Sequence, residues 1–189
     1  MDLRQAHLRL TRHGRQIDME MEAPPTQVWR WMARIMLATE KKDWRKDEFV
    51  EKYVRTRLGR ERGDTFLVEL SPVPARHGRD EGWAEVIAHR EEELGIRIFA
   101  SAVERRKKNL AQIISAKSNG LIICYGDGRK RAEKFAELLN IDWKPLYPRI
   151  ATANDSRCIL LPFFGTGQMG YEVFEILLSS GILSQPATR

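Results

Sequence analysis

Three short stretches of this chain carry side chains that can do more than hold a fold. The richest is Pro162-Phe163-Phe164-Gly165-Thr166-Gly167-Gln168-Met169-Gly170-Tyr171-Glu172. Two aromatics, glycines and an amide together can grip a flat ring. Phe163 or Phe164 stacks on it, Gln168 hydrogen-bonds its edge, and Gly165 and Gly167 let backbone come close. A core aromatic pair followed by a glycine-rich helix start fits the same residues, and both readings stand. The second stretch is Cys124-Tyr125-Gly126-Asp127-Gly128. Gly126 and Gly128 permit close approach to a ligand, and a following helix N-terminus attracts anions. Tyr125 can stack on a base or cover a sheet, and Asp127 can meet a ligand or cap the helix. Neither the dinucleotide fingerprint nor the P-loop spacing is present. The third is Glu69-Leu70-Ser71-Pro72-Val73-Pro74. A carboxylate at the end of an apolar run is costly unless engaged, so Glu69 recognises donor groups, acts as a base, or pairs with an arginine.

Other chemistries lack their residues. His7, His13, His77 and His89 are not at metal-ligand spacing, and there is no nucleophile elbow. The two cysteines, Cys124 and Cys158, are too few for a four-cysteine zinc site or an iron–sulfur cluster. No metal and no other cofactor is expected.

The elements that must position these stretches are readable from periodicity. Thr26 caps a helix with Val28, Trp31, Met32, Ile35 and Met36 on its apolar face. A second helix is expected over Asp47 to Leu58, with Phe49, Tyr53 and Val54 inward. Thr65 to Leu70 reads as a buried strand stopped by prolines. Glu91 to Ile114 reads as helix interrupted near Gly95, with Val103, Leu110, Ile113 and Ile114 inward. Leu121 to Tyr125 is a strand, Arg129 to Leu139 a helix, and Trp143 to Ile150 an edge strand or extended loop. After a turn at Asn154-Asp155-Ser156, Arg157 to Leu161 is a strand, and Met169 to Ser179 a helix ended by Gly181. Strands that are apolar without alternation, separated by helices, indicate strands covered on both faces. The expected architecture is a three-layer α/β/α fold with a mostly parallel central sheet of about four strands, whose ligands bind beyond the carboxyl ends of the strands. Residues 1–25 have sparse apolar positions and are expected to be weakly packed, leaving 26–189 as a single α/β domain.

Composition agrees with a folded, water-exposed chain: 189 residues, 42% hydrophobic and 31% charged. The longest apolar runs, Leu121 to Cys124 and Cys158 to Leu161, are strand-sized and too short for a bilayer. Met1-Asp2-Leu3-Arg4-Gln5 lacks an apolar signal-peptide core, so a reducing, cytoplasmic setting is expected. Lysine and arginine outnumber aspartate and glutamate 32 to 26, a net charge of +6 that leans toward an anionic partner such as nucleic acid. Much of the excess is clustered, at Arg4 to Arg15, Arg55 to Arg62, Arg105-Arg106-Lys107-Lys108 and Arg129-Lys130-Arg131.

From about Arg60 to Gly181, the order of these features resembles the uracil-DNA glycosylase superfamily. The resemblance rests on a strand ending in Glu-Leu-Ser-Pro-Val-Pro, a long basic helix, Leu-Ile-Ile-Cys-Tyr-Gly with its helix, and a last strand ending in Leu-Pro-Phe-Phe-Gly-Thr-Gly-Gln-Met-Gly. It implies DNA as the partner and hydrolysis of the N-glycosidic bond of a flipped base. By position, Glu69 or Ser71 corresponds to the base-recognition strand end. Phe163, Phe164, Gly165, Gly167 and Gln168 correspond to the final loop. Nothing before Trp29 reads as the family's water-positioning loop, and the final loop has no histidine. Glu69 and Gln168 are therefore the catalytic candidates, Tyr125 and Asp127 the rim with Gly126 also against the ligand, and Arg105, Arg106, Lys107 and Lys108 the contacts to the nucleic-acid backbone. A non-catalytic nucleic-acid- or nucleotide-binding module on the same fold is the alternative. The two are separated by Glu69→Gln, which keeps shape and removes charge. In a base-release assay on duplexes carrying uracil, hypoxanthine or mismatches, it should abolish any activity while leaving DNA binding nearly intact.

Overall fold

The computed structural model describes residues 26–60, 63–67, 89, 91–93, 95, 98–116, 120–153, 157–165 and 167–184. The N-terminal segment 1–25, residues 68–70 of the first expected strand with Glu69, Ser71 and the loops that follow, and the turn at 154–156 lie outside the described residues. The chain clusters into two compact units. One comprises Met1–Leu67, Asn119–Glu137 and Ile141–Arg189, the other Val68–Ser118 and Leu138–Asn140.

In the first unit, helix α1 spans Gln27–Thr39 and α2 spans Asp47–Thr56. Thr26 caps α1, its hydroxyl oxygen accepting from the Trp29 amide at 3.4 Å. Asp47 and Glu48 in the first turn of α2 and Arg55 in the last complement its dipole. The buried stripe of α2 is Val50, Tyr53 and Val54, continued by Leu58 in the following turn. Phe49, expected inward, is exposed, with the Lys46 ammonium 5.3 Å from its ring centre. It sits one residue, about 100°, off the stripe that Val50 begins. Thr65 to Leu67, the described start of the first expected strand, is not a strand, and Phe66 is 53% exposed.

The sheet has four strands: β1 Ile122–Tyr125, β2 Lys144–Tyr147, β3 Ile150–Ala153 and β4 Cys158–Leu161, in the order β1-β4-β3-β2. Helix α4, Arg129–Leu139, follows β1, and α5, Tyr171–Ser179, follows β4, two residues later than the expected start at Met169. In the second unit α3 spans Ile98–Ala116 with Leu110 buried. The α/β expectation holds, but the sheet is mixed rather than mostly parallel. Only β1–β4 is parallel, while β2–β3 and β3–β4 are antiparallel. The difference arises within Trp143 to Ile150, expected as an edge strand or extended loop, which holds β2 and the start of β3. Pro148 and Arg149 reverse the chain between Tyr147 and Ile150, and so short a connection can only join antiparallel strands. Arg149 takes the left-handed backbone this reversal needs, with φ 66°.

Of the three layers expected, the described contacts establish two. Ile150, Ile159 and Leu161 on one sheet face pack in a single core with Trp31, Ile35, Val50, Tyr53, Phe174 and Leu177 of the three helices α1, α2 and α5. The opposite face is also buried at Cys124, Ala153, Cys158 and Leu160. Burial on both faces is why β4 reads as an unbroken apolar run. Edge strand β2 is exposed throughout. Among the described residues no helix is long and apolar enough to cross a membrane.

An ion network closes the end of α2. Arg57 donates to Glu40 at 2.7 Å and to Asp64, with its guanidinium 4.7 Å from the Tyr53 ring centre, and Lys42 donates to Glu40 at 2.7 Å. Burial raises the Glu40 pKa, but the hydrogen bonds from Arg57 and Lys42 outweigh it and hold the carboxyl below its ordinary value. A lowered folded-state pKa contributes stability that is present above the unfolded value and lost as pH falls through the folded one. Thermal melts from neutral pH into the acid range should therefore show wild type more stable than Glu40→Gln near neutrality. That advantage should disappear as the carboxyl protonates.

Candidate functional site

Because β1 and β4 run parallel with Tyr125 opposite Leu161, both chains leave the sheet at the same end. The Gly126 amide donates to the Leu161 carbonyl at 2.8 Å, carrying the ladder one residue into the loops. The stretches 125–128 and 162–169, far apart in sequence, become neighbours there.

Aromatic stacking joins them. Tyr125 lies against Phe164 with ring centres 4.7 Å apart and planes 12° from parallel, and against Phe163 at 6.1 Å and 28°. Phe164 is 1% exposed and belongs to the core, so of the two only Phe163, half-buried, offers a ring that a ligand can reach. The Arg131 guanidinium sits 5.8 Å from the Phe163 ring centre and has no carboxylate partner among the described residues. The glycines serve these contacts. Gly126 has φ 104°, and a Cβ there would fall 2.6 Å from the Arg131 side chain. A Cβ on Gly165 would fall 2.7 Å from the Phe163 ring. Gly167, at φ 71°, turns the chain toward exposed Gln168 and buried Met169.

A second network ties three loops together. Arg149 donates to both Asp127 carboxylate oxygens, Nε to Oδ2 at 2.8 Å and Nη2 to Oδ1 at 3.2 Å. Its Nη1 reaches the Gln168 backbone carbonyl at 3.0 Å and its Nη2 the Gln168 side-chain oxygen at 3.1 Å. The bond to Asp127 holds the guanidinium more firmly protonated than usual. Asp127 thus gives its carboxylate to Arg149. Helix α4 begins at the next residues, with the Gly128 carbonyl accepting from the Arg131 and Ala132 amides. Cys124, just behind Tyr125, is no nucleophile, since burial pushes its thiol up to about 12.

The structure therefore brings Tyr125, Gly126, Asp127, Phe163, Phe164, Gly165, Gly167 and Gln168 together. Glu69 and Ser71 lie outside the described residues. Arg105, Arg106, Lys107 and Lys108 lie on α3 of the other unit. Four consecutive helical residues wrap the axis instead of forming one stripe. Arg105 and Lys108 are exposed, whereas Arg106 and Lys107 are half-buried, with Lys107 3.7 Å from Glu104. Among the described residues no group of three histidine, cysteine or acidic side chains could hold a metal ion. No residue pattern marks Arg149, and Arg131 stands out only as part of a basic run. Pro148 signals a turn, but arginine is not a residue type that announces left-handed backbone.

Replacing Gly126 by alanine forces a side chain into this backbone conformation and displaces Arg131. It should cost about 1–3 kcal/mol in chemical denaturation. No family model, curated protein or solved structure matches this chain.

Proposed function

We propose that the chain is a binding module for nucleic acid, DNA by the resemblance, and that it seats one nucleotide unit at the ends of β1 and β4. The observation that carries this reading is the Phe163 platform. A half-buried ring backed by Tyr125, with the Arg131 guanidinium beside it, suits a planar base attached to an anionic backbone. The net charge of +6 supports an anionic partner. Binding is favoured over hydrolysis because the loop after β4 has no histidine, the group that the resemblance places there. Hydrolysis of a glycosidic bond, the step that the resemblance to uracil-DNA glycosylases would add, falls to Glu69.

Fluorescence anisotropy with a labelled single strand tests the reading. Affinity should fall with salt at a log–log slope of about −0.7 per phosphate neutralised. Phe163→Leu keeps the bulk and removes the aromatic face, and should weaken binding by about 5- to 100-fold, the range expected for one stacked base. Charge reversal at Arg105, Arg106, Lys107 and Lys108 should weaken it equally for all sequences if α3 also follows the backbone. Absence of binding at low salt would sink the module reading, and an unchanged Phe163→Leu would remove the platform from it.

A further inference from the structure

Resting on that reading, we infer that Arg149 is the phosphate-recognising residue of the site and that Asp127 is its resident competitor. A nucleotide phosphate bound at the ends of β1 and β4 takes the guanidinium fork from Asp127.

Arg149 holds φ 66° in a tight reversal, where glycine or asparagine would be less strained. What the position gains from arginine is its side chain. Pointed from the β2–β3 turn, that side chain reaches the loops after both β1 and β4.

Nε and Nη2 of Arg149 meet two oxygens of one acid group, at 2.8 and 3.2 Å. Two oxygens of a phosphate present a similar spacing to a guanidinium, which binds either group by a parallel pair of bonds. Asp127 thus stands where a phosphate would be held.

The Arg149 side chain is 40% exposed and that of Asp127 23%, so the pair is open to solvent. Half-exposed ion pairs are weak enough for a better anion to displace them. A phosphate monoester, as in a mononucleotide or at a phosphorylated strand end, also carries more charge than a carboxylate, and Arg131 offers it a second cation. Arg131 packs on Gly126, the residue before Asp127, so one guanidinium approaches this loop from each of two elements. Exchange has a second consequence. Arg149 also holds the Gln168 side-chain oxygen, so its departure frees that amide for the base seated on Phe163.

The ligand class is a phosphate adjoining a planar base. Two sources share that chemistry, a free mononucleotide and the phosphorylated end of a strand. Calorimetric titrations of wild type, Asp127→Asn and Arg149→Lys with thymidine, thymidine monophosphate, and a short oligothymidylate with and without a 5′-phosphate separate them. If Asp127 occupies Arg149 about nine-tenths of the time, its neutralisation should tighten binding of the phosphorylated probes about tenfold. Thymidine should be unaffected. Arg149→Lys keeps the charge but loses the fork, so it should erase the preference for phosphorylated over unphosphorylated probes. It answers the question even if Asp127→Asn fails to fold. A larger gain for the monophosphate identifies the free nucleotide as the source, and a larger gain for the oligonucleotide the strand end. If Asp127→Asn binds phosphorylated probes no tighter, or Arg149→Lys retains the preference, the inference is overturned. Should Phe163→Leu still weaken binding in that case, the module reading survives it. No binding of any probe by any variant at low salt overturns both.

Discussion

The pairing of Tyr125 with Leu161 in the parallel β1–β4 ladder is the contact on which the candidate site depends. Each strand is four residues long, so there is little length over which a wrong register could be resisted. A slip by one residue would turn Tyr125 to the other face of the sheet and remove it from Phe163 and Phe164. The Gly126 amide on the Leu161 carbonyl guards against that slip at the point where the strands end. Gly126 can make this bond because its backbone, at φ 104°, is open to glycine.

That ladder is held in turn by what packs beneath it. Helix α5 leaves the β4 loop directly, and its Phe174 is fully buried against Trp31 and Trp44, with ring centres 5.5 and 4.7 Å away. Anchoring α5 fixes the far end of the loop that carries Phe163 and Gln168. The same cluster encloses Arg34, which is 4% exposed and donates to Asp47 at 2.6 Å. A charge so buried is tolerable only while that partner and the neighbouring Trp31 and Tyr171 rings hold it. Removing Asp47 would loosen the helical layer on which the sheet rests. Packing and site are therefore one mechanical system within this unit.

The arginines of this unit show how one residue type is put to different uses. Arg34 is part of the core, Arg57 closes an ion network, Arg149 clasps three loops, and Arg131 lies over the Phe163 ring. A net charge of +6 counts them alike. Only the last two stand at the strand ends, and one of those is already paired. A basic composition thus overstates the charge offered to a ligand at any one place.

Much of this was legible in the chain itself. The apolar runs at Ile122–Tyr125 and Cys158–Leu161 announce buried strands because both faces are covered, and Arg129–Leu139 announces its helix by periodicity. Glycines beside aromatics marked 125–128 and 163–168 as loops with more chemistry than a turn requires. Local sequence could not say that Phe164 turns into the core while Phe163 stays within reach, since adjacent residues of one type differ only in what surrounds them. Nor could it give the mixed sheet. The direction of β3 follows from a reversal at Pro148 and Arg149 that no glycine or asparagine signals. Arg149 became part of the site only when that reversal set it opposite Asp127 and Gln168, residues 22 and 19 positions away. Periodicity and residue type are local quantities and reveal elements. Which elements lie side by side, and so which charges meet, is decided by long-range pairing and burial.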